Sequence, residues 1–272
     1  MKYKIIALDI DGTLKGDSSL MSPYMTKILE ECTARGAIVS VATGRSLKSA
    51  LIFLKQAPMI ETIISFQGAL VSFDKGATNV WETFMSRQQV SLAVDLLSKS
   101  GVDIVAYAGD DVYVEEMTAW AEAYGERNGV QIVQVDSLKE IPRNLYRVLG
   151  VGEPEIIETL EADLKAEYSG QLYATRSLPH FCEILSTEAG KDKALDWMCS
   201  QFDAGVEDVI AFGNGFNDVE MLKWAGRGVA MEGGESVVFE VCDDIAKGPN
   251  QDGVALYLEN LLENNQIGTQ QR

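Results

Sequence analysis

The sequence predicts an α/β fold: a Rossmann-like parallel-sheet core domain with an inserted α+β cap domain. Three observations carry that prediction. Short apolar runs alternate with helical patterns near both ends of the chain, the βαβ signature of a parallel sheet. The middle of the chain instead groups its strands in pairs around turns. The length, 272 residues, suits one large α/β domain or two modest ones.

Residues 4–9 form an apolar run ending in an acid, and a run apolar on both faces suits a central strand. Ser22-Pro23 reads as an N-cap followed by proline in the first turn, opening a helix that Gly36 stops. A second strand is expected over 37–42, a helix over 46–55 and a third strand over 62–66. After about Trp81 the pattern changes. Helices near 87–99, 117–127 and 154–167 alternate with strands near 102–107, 111–115, 146–151, 171–175 and 181–185. The parallel pattern then resumes with a helix over 190–201, a strand over 209–212, a polar turn over 213–218, a helix, and a strand at 228–230. A last helix over 251–263 gives way to a polar tail, 264–272, expected to fray. The expected domains are a core of 1–81 and 186–272 and an insert of 82–185.

Lys and Arg total 23 against 41 Asp and Glu, a formal charge of -18. That balance argues against nucleic acid and against an anionic membrane surface as partners. Small anionic substrates stay compatible, because a few local cations can reverse the field in one cleft. No apolar run is long enough to span a membrane, and acids follow the first strand too closely for a secretory signal. Cys32, Cys182, Cys199 and Cys242 form no CxxC pair, which points to reduced thiols and a cytoplasmic setting rather than zinc or redox chemistry. The single histidine, His180, makes a Ser-His-Asp mechanism improbable.

Three strands end in polar turns: Asp9-x-Asp11, Thr43-Gly44-Arg45, and Asn214 to Asp218. In open parallel sheets ligands bind beyond the carboxyl ends of the strands, so neighbouring strands would bring these turns together. Clustered acids suit an oxygen-ligated Mg2+. Thr43 and the helix N-terminus behind it suit a phosphate. Lys191, opening a helix after the insert, could supply the facing cation. Together these parts describe phosphoryl transfer through an aspartyl-phosphate. Taken singly, each has a plainer reading: a strand-ending turn, an N-cap, a solvated lysine, a loop.

In this order the motifs resemble those of the haloacid dehalogenase-like superfamily, specifically the Cof-type hydrolases of subclass IIB with a large α/β cap. Asp9-Ile10-Asp11-Gly12-Thr13, Thr43-Gly44-Arg45, Lys191 in Gly-Lys-Asp-Lys, Gly213 through Leu222, and Asp252-Gly253-Val254-Ala255 carry the resemblance, which spans nearly the whole chain. It implies a Mg2+-dependent phosphatase acting on a small phosphorylated substrate. Asp9 would be nucleophile and metal ligand. Asp11 would be general acid and base, its main-chain carbonyl a metal ligand. Thr43, Gly44 and Asn217 would hold phosphoryl oxygens, and Lys191 would neutralise charge. Asn214 and Asp218 would complete the metal site, and the insert would cover the cleft and contact the leaving group.

The sequence departs from the family pattern at Asn214, where Asp is usual, at Asp192, where Gly usually follows the lysine, and at Gln67, where Asn is usual. An amide at 214 brings no charge, so weakened Mg2+ binding is expected unless Asp218 moves in. Asp192 either shares the charge of Lys191 or favours its helix N-terminus. In the insert, Arg176 or His180 is expected to face the substrate. Sugar phosphates, phosphorylated cofactors and nucleotides all fit as substrates. The alternatives are a catalytically weakened phosphate-ligand-binding or regulatory protein and a phosphosugar mutase of the same fold.

Overall fold

The computed structural model describes residues 2–18, 20–128 and 130–268. The chain opens with β1 (Ile5–Leu8), α1 (Pro23–Ala34), β2 (Ile38–Ala42), α2 (Leu47–Leu54), β3 (Thr62–Ser65), β4 (Leu70–Phe73) and β5 (Thr78–Glu82). The insert holds α3 (Arg87–Ser100), β6 (Asp103–Ala108), β7 (Asp111–Val114), α4 (Ala119–Asn128), β8 (Ile132–Gln134), β9 (Arg147–Val151), α5 (Pro154–Tyr168), β10 (Tyr173–Leu178) and β11 (Phe181–Leu185). The chain closes with α6 (Lys191–Gln201), β12 (Val209–Gly213), α7 (Val219–Trp224), β13 (Arg227–Met231), α8 (Ser236–Phe239), β14 (Asp244–Ala246) and α9 (Gly253–Glu263). Two compact units result, Met1–Trp81 with Gly190–Arg272, and Glu82–Ala189. The return crossing thus falls at 189/190 rather than the expected 185/186.

The first unit is built on an eight-stranded sheet of order β14-β13-β12-β1-β2-β3-β4-β5. β1 pairs in parallel with β2 on one side and β12 on the other. Each of its four residues is fully buried because both faces of the sheet are covered. Ile6 and Leu8 join one apolar cluster with Met25, Leu29 and Leu258. Ile5 and Ala7 join another with Leu195, Met198 and Met221. A fully buried Ile or Leu side chain contributes about 1.5–3 kcal/mol, so this strand anchors the unit. The chain leaves β1 toward β2 and later adds β12 on the opposite flank. That reversal is the crevice where open α/β sheets take ligands.

The second unit carries a six-stranded sheet of order β10-β11-β9-β6-β7-β8. Its β10–β11, β11–β9, β6–β9 and β6–β7 pairs are antiparallel, and β7–β8 is parallel. Val94 and Leu97 of α3 and Ile157, Leu160 and Leu164 of α5 cluster with Ala106, Val148 and Ile184 of the sheet.

Several short elements were not anticipated. β4 and β5 extend the first sheet beyond β3, and β4 runs antiparallel to it. β8, α8 and β14 are only three or four residues long, too short for periodicity to announce them. The expected fraying tail also needs correction over 264–268. Tyr3 and Ile267 form a parallel bridge, and the Gly268 N–H donates to the Tyr3 carbonyl at 2.9 Å. Residues 269–272 lie outside the described residues. Among the described residues no helix is long and apolar enough to cross a membrane.

Candidate active site

Asp9, Thr43 and Asn214 each follow directly on the last residue of β1, β2 and β12, at the carboxyl ends of these strands. Asp9 follows β1 directly and is 5% exposed, its N–H donating to the Phe212 carbonyl of β12 at 3.0 Å. Lys191, first residue of α6, is 1% exposed. Its Nζ lies 2.8 Å from Asp9 Oδ1 and 2.6 Å from Asp218 Oδ1. The other Asp218 oxygen accepts the backbone N–H groups of Asn214 at 2.8 Å and Gly215 at 2.9 Å.

One lysine therefore serves two buried carboxylates, and their net charge stays negative. Burial is the largest force on the Asp9 carboxyl and pushes it up to about 7. Lys191 opposes that shift, while Asp218 and Asp11 add to it. For Lys191 burial alone would lower the ammonium, but Asp218 and Asp9 outweigh it and hold it protonated above its ordinary range.

Asp11 is placed differently. Its side chain is half-exposed, and Arg45 grips it through Nε and a terminal nitrogen, both at 2.6 Å. Lys15 stands 3.5 Å away. Burial would raise this carboxyl, yet Arg45 and Lys15 outweigh it and hold it below the usual carboxylate range. Arg45 therefore has a defined partner that the sequence motif alone did not assign.

Thr43 is buried, and its Oγ1 accepts the Arg45 N–H at 3.2 Å, which leaves its hydroxyl proton to donate. Gly44 and Arg45 lead into α2, whose N-cap is Ser46. Asn217 is buried, and its Nδ2 donates to Gln67 Oε1 at 3.0 Å. Asn214 Oδ1 accepts the Thr13 hydroxyl at 3.1 Å. Asp192 lies in the first turn of α6, where an acid meets the positive end of the helix. The ion-pair partners of Lys191 are Asp9 and Asp218, not Asp192.

The donor set suits a hard dication in part. The only hydrogen bond to the Asp9 carboxylate among the described residues comes from Lys191, on Oδ1. A buried carboxylate short of positive charge is what an oxygen-preferring cation would complete. Asn214, directly after β12, carries a neutral amide oxygen that accepts the Thr13 hydroxyl. Asp218, by contrast, has both oxygens committed to Lys191 and to backbone N–H groups. Among the described residues no three His, Cys, Asp or Glu side chains converge as a ready metal cluster.

In the insert, the expected substrate-facing role of Arg176 meets a different geometry. β10 runs through this residue, which was expected to lie in a connection. Arg176 is buried, with its Nε 2.5 Å from Glu161 Oε2 and a terminal nitrogen 3.4 Å from Glu158. Its guanidinium is tied to α5. His180 sits in the turn between β10 and β11, its ring against Phe181 at 4.3 Å.

The haloacid dehalogenase-like hydrolase family model matches residues 6–258. The chain belongs to that family. The 5-amino-6-(5-phospho-D-ribitylamino)uracil phosphatase YitU of Bacillus subtilis is 26% identical, covering 95% of this chain and 97% of its own. A haloacid dehalogenase-like hydrolase from Bacteroides thetaiotaomicron superposes with a TM-score of 0.79 at 25% identity, over 96% of this chain and 100% of that one. The fold of a subclass IIB sugar phosphatase also matches, with a TM-score of 0.81 at 21% identity, over 97% of this chain and 100% of that one. Within this hydrolase, Asp9, Lys191, Thr43, Gly44, Asn217, Asn214 and Asp218 all belong to the unit built on the eight-stranded sheet.

Proposed function

We propose that this hydrolase is a Mg2+-dependent phosphoric monoester hydrolase that cleaves a small phosphorylated metabolite, a sugar phosphate or similar, through an aspartyl-phosphate intermediate. The observation that carries the reading is the buried Asp9 carboxylate, held by Lys191 on one oxygen at 2.8 Å and backed by Asp218. That leaves Asp9 Oδ2 as the attacking atom. Oδ2 bonds to phosphorus as the bond from phosphorus to the leaving oxygen breaks, and Asp11 delivers a proton to that oxygen. Asp11 then takes a proton from water, whose oxygen attacks phosphorus, and the bond to Asp9 breaks to release phosphate. In the geometry described, Asp11 is gripped by Arg45 as a carboxylate, which is the form needed for the second step. The first step requires Arg45 to loosen its hold.

Thr43 supplies a hydroxyl, Gly44 a backbone N–H and Asn217 an amide N–H to the phosphoryl oxygens. Lys191 fixes Asp9 and offsets charge, so positioning and electrostatics supply most of the rate. The Asp9 carboxylate, the Asp11 main-chain carbonyl and the Asn214 amide oxygen would hold Mg2+. Asp218 would act through Lys191 and the loop after β12, or through a bridging water. When bound, Mg2+ supplies positive charge to the phosphoryl oxygens and the nucleophile. Substrate selection falls to the insert.

The phosphatase names of the relatives support a small phosphorylated metabolite as substrate. The formal charge of -18 supports a small-molecule partner over nucleic acid or membrane. All four cysteines are free, which suits a reducing, cytoplasmic setting. A second reading, a phosphate-binding protein with weakened turnover, draws on the neutral Asn214 amide and its bond to Thr13. The test is phosphate release from a generic aryl phosphate and a panel of phosphorylated metabolites, with and without Mg2+, beside Asp9→Asn. Mg2+-dependent release that Asp9→Asn abolishes is the expected result. No release from any substrate by folded protein in ample Mg2+ would favour the binding reading.

A further inference from the structure

Phe66, Gln67 and Gly68, between β3 and β4, all have positive φ, at 48°, 55° and 90°. Two successive non-glycine residues in the left-handed region are uncommon. Where single residues adopt it, Asn and Asp do so most readily, and Gln has no such advantage. Backbone held this way persists only where its surroundings over-determine it.

What surrounds Gln67 is the phosphoryl end of the site. Its side chain is fully buried. Its backbone N–H donates to the Thr43 carbonyl at 3.1 Å. Its Oε1 accepts from Asn217 Nδ2 at 3.0 Å. A Cβ placed on Gly44 would stand 2.4 Å from its Nε2, so the amide lies directly against the backbone of the loop after β2. One residue on, a Cβ on Gly68 would stand 2.0 Å from the Gly190 carbonyl and 2.9 Å from the Lys191 nitrogen. The turn thus seats at once on the segments carrying Thr43 and Gly44, Asn217, and Lys191.

Asn217 gains its orientation from this contact. Its Oδ1 lies 2.8 Å from where a Cβ of Gly215 would be, so the amide oxygen is packed against that backbone. One of its two N–H groups goes to Gln67. A single N–H is left as donor, with its direction set by the other two contacts. A shorter amide at position 67 lacks the methylene that lets one side chain span from Gly44 to Asn217.

We propose that Gln67 is a positioning residue for the phosphoryl group: its carboxamide bridges the loop after β2 and Asn217, and so sets the spacing and direction of the phosphate donors. The inference rests on the phosphatase reading for the identity of the bound group. Because Gln67 acts on the phosphoryl end, its effect is the same for every substrate, whatever the leaving group.

The test is Gln67→Met, of similar length but without the amide, compared with the unaltered protein, Asn217→Ala and the double variant. Inorganic phosphate is titrated calorimetrically in the presence of Mg2+, KM and kcat are measured on an aryl phosphate and one sugar phosphate, and melting temperature reports folding. Removing one partner of a buried hydrogen bond commonly weakens an equilibrium by about tenfold. Gln67→Met is therefore expected to weaken phosphate binding about tenfold and to raise KM by the same factor on both substrates. In the Asn217→Ala background Gln67→Met should add little, because Gln67 acts through Asn217. Phosphate affinity within twofold of the unaltered protein overturns the proposal. So does an equal further loss in the Asn217→Ala background. If Gln67→Met does not fold, Gln67→Asn is read by the same criteria, since its amide falls one methylene short. Absence of turnover in the unaltered protein counts against the hydrolytic chemistry and leaves the phosphate titration to decide on Gln67.

Discussion

Replacing Asn214 by aspartate alters one atom of a side chain that packs against Gly12 and Thr13 in the loop after Asp9, and its two effects have opposite signs. Asn214 joins a loop whose backbone N–H groups bind Asp218 at 2.8 and 2.9 Å, close to the buried Asp9, Lys191 and Asp218 group. That group carries two acids and one base. At about 4 Å and an effective dielectric of about 20, one pair of unit charges is worth about 4 kcal/mol. Without metal, the new carboxylate meets two like charges and one opposite charge, which at equal separations leaves a net of about 4 kcal/mol of destabilisation. Relaxation and proton uptake reduce this to about 1–2 kcal/mol, a fall of several degrees in melting temperature. With Mg2+ bound, the same carboxylate faces a double positive charge. After the same reductions, tighter binding by about 1.4–2.8 kcal/mol, roughly 10- to 100-fold, is expected. Calorimetric titration of Mg2+ into metal-stripped protein, with melting in chelator and in excess Mg2+, reads both effects. Equal Mg2+ affinity together with an unchanged metal-free melting temperature would refute the reasoning.

Two further outcomes follow from buried ion pairs. Lys191→Met leaves Asp9 and Asp218 facing each other without their shared cation. It should cost about 3–5 kcal/mol at neutral pH and abolish turnover. An acid whose folded pKa lies above its unfolded value weakens the fold as pH rises between the two. For Asp9 in the unaltered protein that window runs from 3.8 to about 7. Lys191 lowers the Asp9 carboxyl, so in Lys191→Met that carboxyl rises further, and the deficit against the unaltered protein should grow as pH rises above about 7 and be smaller below it; denaturant melts at several pH values would check it, and a deficit independent of pH would count against the electrostatic cause. Arg176→Ala should lower stability by about 2 kcal/mol, because Glu161 loses its buried partner and keeps Lys165. KM across a substrate panel should stay unchanged, and a shifted KM with an unchanged melting temperature would restore a substrate-facing role.

Much of the candidate site's layout was legible because its signals are local. An acid ending an apolar run, as at Asp9, stands out without any knowledge of its neighbours. So does a glycine-bounded polar turn such as 213–218. The bridging role of Gln67 was not legible, since neither its left-handed backbone nor its contact with Asn217, 150 positions away, leaves a local trace. The place of Arg176 within β10 and its pairing with Glu161 left no local trace for the same reason. The extra length of β10 and the pairing with α5 depend on strand partners and on burial of Glu161, not on the residues beside it.

The amino-acid order alone determined the alternation that builds a parallel sheet, the interruption by an insert, and which residue types stand at the strand ends. Those follow from periodicity and turn chemistry, which act over a few residues. Only the tertiary structure decided which charge meets which. Lys191 reaches Asp9 across 182 positions and takes Asp218 as its second partner. Arg45 closes on Asp11 across 34 positions. Asn214 turns its oxygen to Thr13 across 201. A side chain's partner is selected by the space and charge that the folded backbone leaves around it, and a linear sequence does not contain that information in any local form.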